Sequence, residues 1–224
     1  MTKRRVYTFF TIFCLLCFSS AQALSQKLAK VGTSTRAIQE LDKMLEDFKK
    51  GKTLSAADQE FNRKLKQKII KGTFDVRELC KLALSKHWSE RSKVEKDKFV
   101  DIMVGLLEEK ALFSHEQSES KSKTGSQYNV GYVSERFLST KKNRSFVHTK
   151  VTVPSANVTI NLNYRLKKAE KKWKIYDIIV DEASLVSNYR YQFNSIITKS
   201  GYDHLIGLMS KKLNSLKAKR GSTS

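Results

Sequence analysis

From Val158 to Lys167 apolar and polar residues alternate without a break. Val158, Ile160, Leu162, Tyr164 and Leu166 stand on one side, and Thr159, Asn161, Asn163, Arg165 and Lys167 on the other. A period of two commits the segment to an extended strand with one dry face. After a polar turn over Lys168 to Lys172, the run from Trp173 to Val180 is apolar at both parities, broken chiefly by Lys174 and Asp177. That pattern predicts a second strand, buried more fully on both faces. The period then changes. Leu185, Val186, Tyr189, Phe193, Ile196 and Ile197 recur at three- and four-residue steps, a helix whose apolar stripe can lie on the strands. Ser184 is placed to cap its first turn, and Ser200-Gly201 can end it. A last helix, Tyr202 to Leu213, carries Leu205, Ile206, Leu208, Met209 and Leu213.

Four amphipathic helices precede any strand. Arg36 to Lys50 places Ile38, Leu41, Met44, Leu45 and Phe48 on one face, with Gly51 as its stop. Ser55 with Asp58 opens the next, which carries Phe61, Leu65, Ile69 and Ile70. Asp75 with Glu78 opens a third, holding Val76, Leu79, Leu82 and Ala83. Ser92 with Glu95 opens a fourth, striped by Phe99, Ile102, Met103, Leu106 and Leu107. The polar stretch His115 to Ser126 reads as an exposed loop. Strands follow at about Gln127 to Arg136, Arg144 to Val153, Val158 to Lys167 and Trp173 to Val180, joined by hairpin-length links. No helix lies between strands to make a parallel crossover, so the expected fold is α+β: amphipathic helices against a four-stranded antiparallel meander, with two C-terminal helices.

The blocks NYRL, WKIYDIIVDEASLVSNYRYQFNSII and GYDHLIGLMSKKL, with FDVRELCKLALSKHWSERSKVEKDKFVDIMVGLLEEKALF before them, resemble the MlaC family over roughly Ile38 to Leu213. Members of that family are periplasmic phospholipid carriers, also described as toluene-tolerance proteins. The resemblance implies a curved sheet and helices enclosing an apolar cavity. It further implies a phospholipid as cargo with no cofactor, an inner-membrane ABC transporter complex as one partner, and an outer-membrane lipoprotein/porin complex as the other. There are two departures. Ser85 follows Leu84 where the family has glycine, and Glu182 precedes the SLV-NYR helix where it again has glycine. If those turns keep a positive φ, a side chain must bear it.

The N-terminus reads as a targeting segment. Lys3, Arg4 and Arg5 precede the apolar run Val6 to Phe18, and Ala21-Gln22-Ala23 supplies small residues for cleavage after Ala23. Leu15-Leu16-Cys17 offers a lipoprotein signal as the competing reading, against which Leu16 is large where a small residue is expected. Cleavage would leave 40 basic residues against 22 acidic ones, a net charge of +18, in one domain over residues 24–216 with a disordered basic tail, Lys217 to Ser224. Of the cysteines only Cys80 would remain, in an apolar run that suits a buried, inert thiol. Such a charge draws a chain to anionic membrane surfaces and acidic partners. Nucleic acid is the competing inference, but the basic residues are spread without aromatic interleaving, and export opposes it.

No G-x-S-x-G, H-E-x-x-H, phosphate loop or dinucleotide fingerprint is present. His87, His115, His148 and His204 lack metal spacing. Two readings therefore stay open. The first is a lipid carrier whose cavity wall is formed by Phe99, Met103, Leu107, Ile160, Leu162, Tyr164, Ile175, Ile179, Tyr189 and Phe193, with Arg190 a candidate for meeting a lipid phosphate. For each wall residue ordinary core packing is the competing role. The second is a small exported enzyme using Asp177 in an apolar cavity, against which stands a plain hydrogen bond or ion pair of Asp177 with Arg165 or Arg190.

Overall fold

A computed structural model describes residues 33–49, 51, 54–110 and 128–221; the targeting segment, the His115 to Ser126 loop and the final three residues lie outside them. Among the described residues five helices come first: α1 (Thr33–Glu46), α2 (Ala56–Thr73), α3 (Val76–Leu84), the short α4 (Lys86–Ser89) and α5 (Lys93–Lys110). The sheet follows as β1 (Asn129–Phe137), β2 (Arg144–Val153), β3 (Val158–Ala169), β4 (Lys172–Val180) and the two-residue β5 (Ala183–Ser184). Two helices close the chain, α6 (Leu185–Ser200) and α7 (Tyr202–Gly221). The strands are antiparallel neighbours in chain order, so the expected meander is present with β5 added at its edge.

Local chemistry sets the helix boundaries as the sequence implies. Ser55 accepts from the Asp58 N–H, Asp75 from the Glu78 N–H and Ser184 from the Ser187 N–H. Ser92 and Glu95 form a reciprocal box, the Ser92 hydroxyl accepting from Glu95 N–H at 3.2 Å while the Glu95 carboxylate accepts from Ser92 N–H at 2.8 Å. Gly201 ends α6 at φ 85°. At the far end the chain differs from expectation. Helix α7 continues to Gly221, so Lys217 lies on a helix and not in a loose tail; the Leu-Lys-Ala-Lys-Arg composition favours helix continuation.

Two insertions shape the sheet. The β2–β3 pairing is unbroken from Arg144↔Lys167 to Val153↔Val158, but β1 shifts register between Tyr132 and Ser134. On β4, Arg165 faces Asp177 while Leu166 faces Ile175, leaving Tyr176 as an inserted residue. A bulge of this kind exchanges the faces of the residues on either side of it. Ile175 therefore shares a face with Leu166, and Ile179, opposite Asn163, lies on the other. The sequence expectation that Ile175 and Ile179 line one wall is corrected by this bulge.

Two clusters make the core. The first joins α1 and α2 to one face of the sheet through Ile38, Leu41, Phe48, Leu65, Ile69, Val147, Tyr164, Leu166 and Ile175. The second is built mainly from α3, α5, α6 and α7, with Leu79, Cys80, Phe99, Met103, Phe193 and Leu205 at its centre. Phe74 packs against both, and neighbouring Ile69 and Ile70 of α2 serve one each.

Candidate functional site

Helix α1 lies across one face of the sheet because its apolar stripe needs cover, and three polar contacts fix where it lies. The Thr35 N–H and hydroxyl both donate to Glu135 Oε2, at 2.9 and 2.7 Å. Further along, Tyr132 on β1 donates its hydroxyl to the Asp42 carboxyl. The link to α2 is held by Asn62, which accepts from Lys49 N–H at 2.9 Å and donates to Lys49 O at 3.0 Å.

On the covered face the residues alternate as β3 requires. Leu162 pairs with Thr149 and Val180, Tyr164 with Val147 and Ile178, and Ile160 with Val151. Their burial is uneven. Tyr164, Leu166, Val147 and Ile175 are buried under α1 and α2, whereas Ile160, Leu162, Ile178, Val180, Val130 and Tyr132 keep part of their surface open. Met44 and Leu45 of α1 are also half-buried against this cluster. The result is an apolar face that is sealed at one end and partly open toward the Val151–Ile160 row.

The sequence-derived wall residues thus divide into two groups. Ile160, Leu162, Tyr164 and Ile175 lie together on the covered face. Phe99, Met103, Leu107, Phe193 and Tyr189 belong to the helical cluster. There Phe99 meets Phe193 edge-on at 5.6 Å, and Phe193 stacks on Tyr189 at 5.3 Å. Phe99 and Met103 are 0% and 1% exposed, the burial of packed core. Ile179 is buried on the opposite face. The wall residues not singled out from sequence are Ile38, Leu41, Met44 and Leu45 on α1, Leu65 and Ile69 on α2, and Val147 and Val151 on β2. The helical stripes and the Ser145-Val147-Thr149-Val151 alternation carry the signal for them.

The titratable groups are mostly tied into structure. Asp177, 1% exposed, accepts from Ser184 Oγ at 2.8 Å, from Val186 N–H at 3.0 Å and from Arg165 at 3.0 Å. Burial raises its carboxyl above the ordinary range, against the pull of those donors. The group anchors the first turn of α6 to β4, the plain ion-pair role and not that of an open acid. Arg190 donates from Nε to Leu82 O at 2.9 Å, placing a cation at the C-terminal end of α3. Glu78 on α3 is buried; burial pushes it up, but Lys167 at 2.8 Å and Arg144 outweigh that and hold it below the usual carboxylate range. His87 Nε2 meets Asn194 at 3.0 Å, and burial pushes the Cys80 thiol far up, so neither is poised for chemistry. Asp42 is different. Burial lifts its carboxyl to about 6, with Tyr132 pulling it down and Glu46 adding to the rise. No group of His, Cys, Asp and Glu that could hold a metal is present among the described residues. No described helix is long and apolar enough to cross a membrane.

A family model for MlaC protein matches this chain over residues 39–211. The chain belongs to the MlaC family. Among solved structures, this MlaC-family chain is similar to a phospholipid-binding protein from Ralstonia solanacearum in complex with a phospholipid, with a TM-score of 0.62 at 17% identity. The match covers 83% of this chain and 99% of that one, so the two share a fold over nearly the whole of the Ralstonia protein. Comparison with curated proteins finds no match. In the MlaC frame the two family glycines replaced here have a structural outcome: Ser85 stands at φ 50° and Glu182 at φ 74°, so both turns keep the left-handed backbone without glycine.

Proposed function

We propose that this chain is a soluble phospholipid carrier, exported to the periplasm with its targeting segment cleaved after Ala23. It would move lipid between an inner-membrane ABC transporter complex and an outer-membrane lipoprotein/porin complex, with the phospholipid as cargo and no cofactor. The observation that carries this reading is the half-open apolar row Ile160, Leu162, Ile178 and Val180, on a sheet face that is sealed core at its other end, at Val147, Tyr164, Leu166 and Ile175. Family membership and the lipid held by the Ralstonia protein support it.

The physical demand on such a carrier is large and unspecific. A diacyl phospholipid has on the order of 30 methylenes, each worth about 0.8 kcal/mol on leaving water, so an unaided crossing faces more than about 20 kcal/mol. An apolar slot removes most of that barrier. Branched and aromatic walls with a methionine such as Met44 accommodate chains of varied length, while the headgroup stays in water at the mouth. No polar reacting centre is needed, in keeping with an Asp177 whose oxygens are already committed.

The test is native mass spectrometry of the mature protein purified without detergent, followed by extraction and identification of bound lipid. One phospholipid per chain is expected. An apo mass that takes up no lipid from vesicles would mean that the covered face closes into solid core.

A further inference from the structure

One end of the sheet is strongly basic. The β1–β2 and β3–β4 turns are neighbours there: Lys168 N–H donates to Asn143 O at 2.8 Å, and the Phe137 ring stacks on Trp173 with centroids 6.3 Å apart. Exposed on these two turns and their flanks are Arg136, Lys141, Lys142, Lys168, Lys171 and Lys172, against a single carboxylate, Glu170. Just behind them, Arg144 and Lys167 are already engaged by Glu78. Apolar side chains stand in water among the cations, with Phe137 46% and Leu138 38% exposed. The Lys142 ammonium lies 5.8 Å from the centre of the Phe137 ring.

We propose that this end of the sheet is a docking surface for an anionic phospholipid bilayer. Its composition separates that partner from the other macromolecules a basic patch could take. Five of the six exposed cations are lysines. Protein–protein interfaces are enriched in arginine and depleted in lysine, because a hydrated, flexible ammonium costs order and desolvation when it is pinned. At a bilayer the ammonium stays in water and acts through charge alone, so lysine suffices. The exposed Phe137 and Leu138 supply the shallow apolar contact that converts such attraction into residence at the headgroup boundary. Single-stranded nucleic acid would need an aromatic face free for stacking, and Phe137 already lies on Trp173. The patch lies on exposed turns at the sealed end of the covered face, away from its half-open row, so the inference stands whether or not that row holds cargo.

Flotation of the mature protein with phosphatidylcholine vesicles and with vesicles containing phosphatidylglycerol, at low and high salt, tests it. Association is expected only with the anionic vesicles and is expected to fall with salt. Removing four tip charges together, Lys141→Gln, Lys142→Asn, Lys171→Asn and Lys172→Gln, should lower partitioning by about 600-fold, since each cation near such a surface is worth about fivefold. Asparagine is chosen at positions 142 and 171 because both have positive φ, at 50° and 68°. The control removes four exposed lysines elsewhere, Lys81, Lys211, Lys212 and Lys217, each to Gln, and should leave most of the binding. Circular dichroism and bound-lipid mass on both variants separate loss of docking from loss of fold or of cargo. Wild-type protein that ignores anionic vesicles, binds neutral ones equally, or loses as much binding through the control set as through the tip set overturns the proposal.

Discussion

Asp42 and Tyr132 share a hydrogen bond across the gap between α1 and the edge strand β1, carboxyl to hydroxyl, in surroundings dry enough to lift the acid to about 6. The contact sits on the side of the sheet where Leu162, Ile178 and Tyr132 itself stay half-open. An ionisable group therefore helps to hold the helix that covers the apolar face.

Its pH dependence has a definite sign. Unfolded, Asp42 titrates near 3.8, and folded near 6, so the folded state holds the proton more tightly. The stabilisation is complete below 3.8 and is lost as pH rises through 6. Asp42→Asn keeps an acceptor for Tyr132 and cannot ionise. Urea denaturation should show the variant equal to wild type in acid and more stable by about 3 kcal/mol at neutral pH. A constant difference across that range would mean that Asp42 is solvated.

Glycine should be welcome at two turns. Ser85 and Glu182 hold positive φ with side chains, and the Ser85 side chain makes no cap hydrogen bond. Ser85→Gly and Glu182→Gly are each expected to stabilise the fold by about 1 kcal/mol, the removed backbone strain exceeding the added freedom of the unfolded chain. Thermal melts should rise by a few degrees for each change, and the two increments should add.

Asp177→Asn should cost stability and little else. One amide oxygen cannot serve Ser184, Val186 and Arg165 together, so a loss of about 2–3 kcal/mol is expected. Lipid loading, measured by native mass spectrometry, should persist in the folded fraction. Its disappearance in a protein that is still folded would return Asp177 to the functional site.

Core and slot are separable by substitution. Phe99→Ala removes a ring that is 0% exposed and packed edge-on against Phe193, and should cost about 3–5 kcal/mol with loading retained in what folds. Ile160→Trp, at a half-buried position on the open row, should cost under about 1 kcal/mol and impair loading. The reverse pattern would move the slot into the helical cluster.

Much of this architecture is legible in the chain because it is local. Caps at Ser55, Asp75, Ser92 and Ser184 are three-residue relationships, and all four are made. The alternation of β3 fixes its faces without reference to anything distant. What the chain conceals is which apolar stripe meets which. The stripe of α5 is as apolar as that of α1, yet Phe99 and Met103 pack among helices while Ile38 and Leu41 take the sheet. The bulge at Tyr176 is equally silent, since an inserted residue changes register without changing composition. It moved Ile179 to the face opposite Ile175. Nothing in the sequence reveals that the Leu82 carbonyl stands next to Arg190 and takes its Nε–H.

Phe74 joins matters that are otherwise apart. It packs against both clusters, bridges to Ile175, and is followed by Asp75, whose N–H donates to Ile175 O at 2.8 Å while its side chain caps α3. Two core clusters can open as separate cooperative units. Here a single ring, fixed by a strand and continuous with a helix, belongs to each, so loosening of the helices over the sheet is transmitted to the bundle beyond it. The protein should accordingly unfold in one transition, and any occupant that steadies α1 and α2 should slow hydrogen exchange in α3 as well.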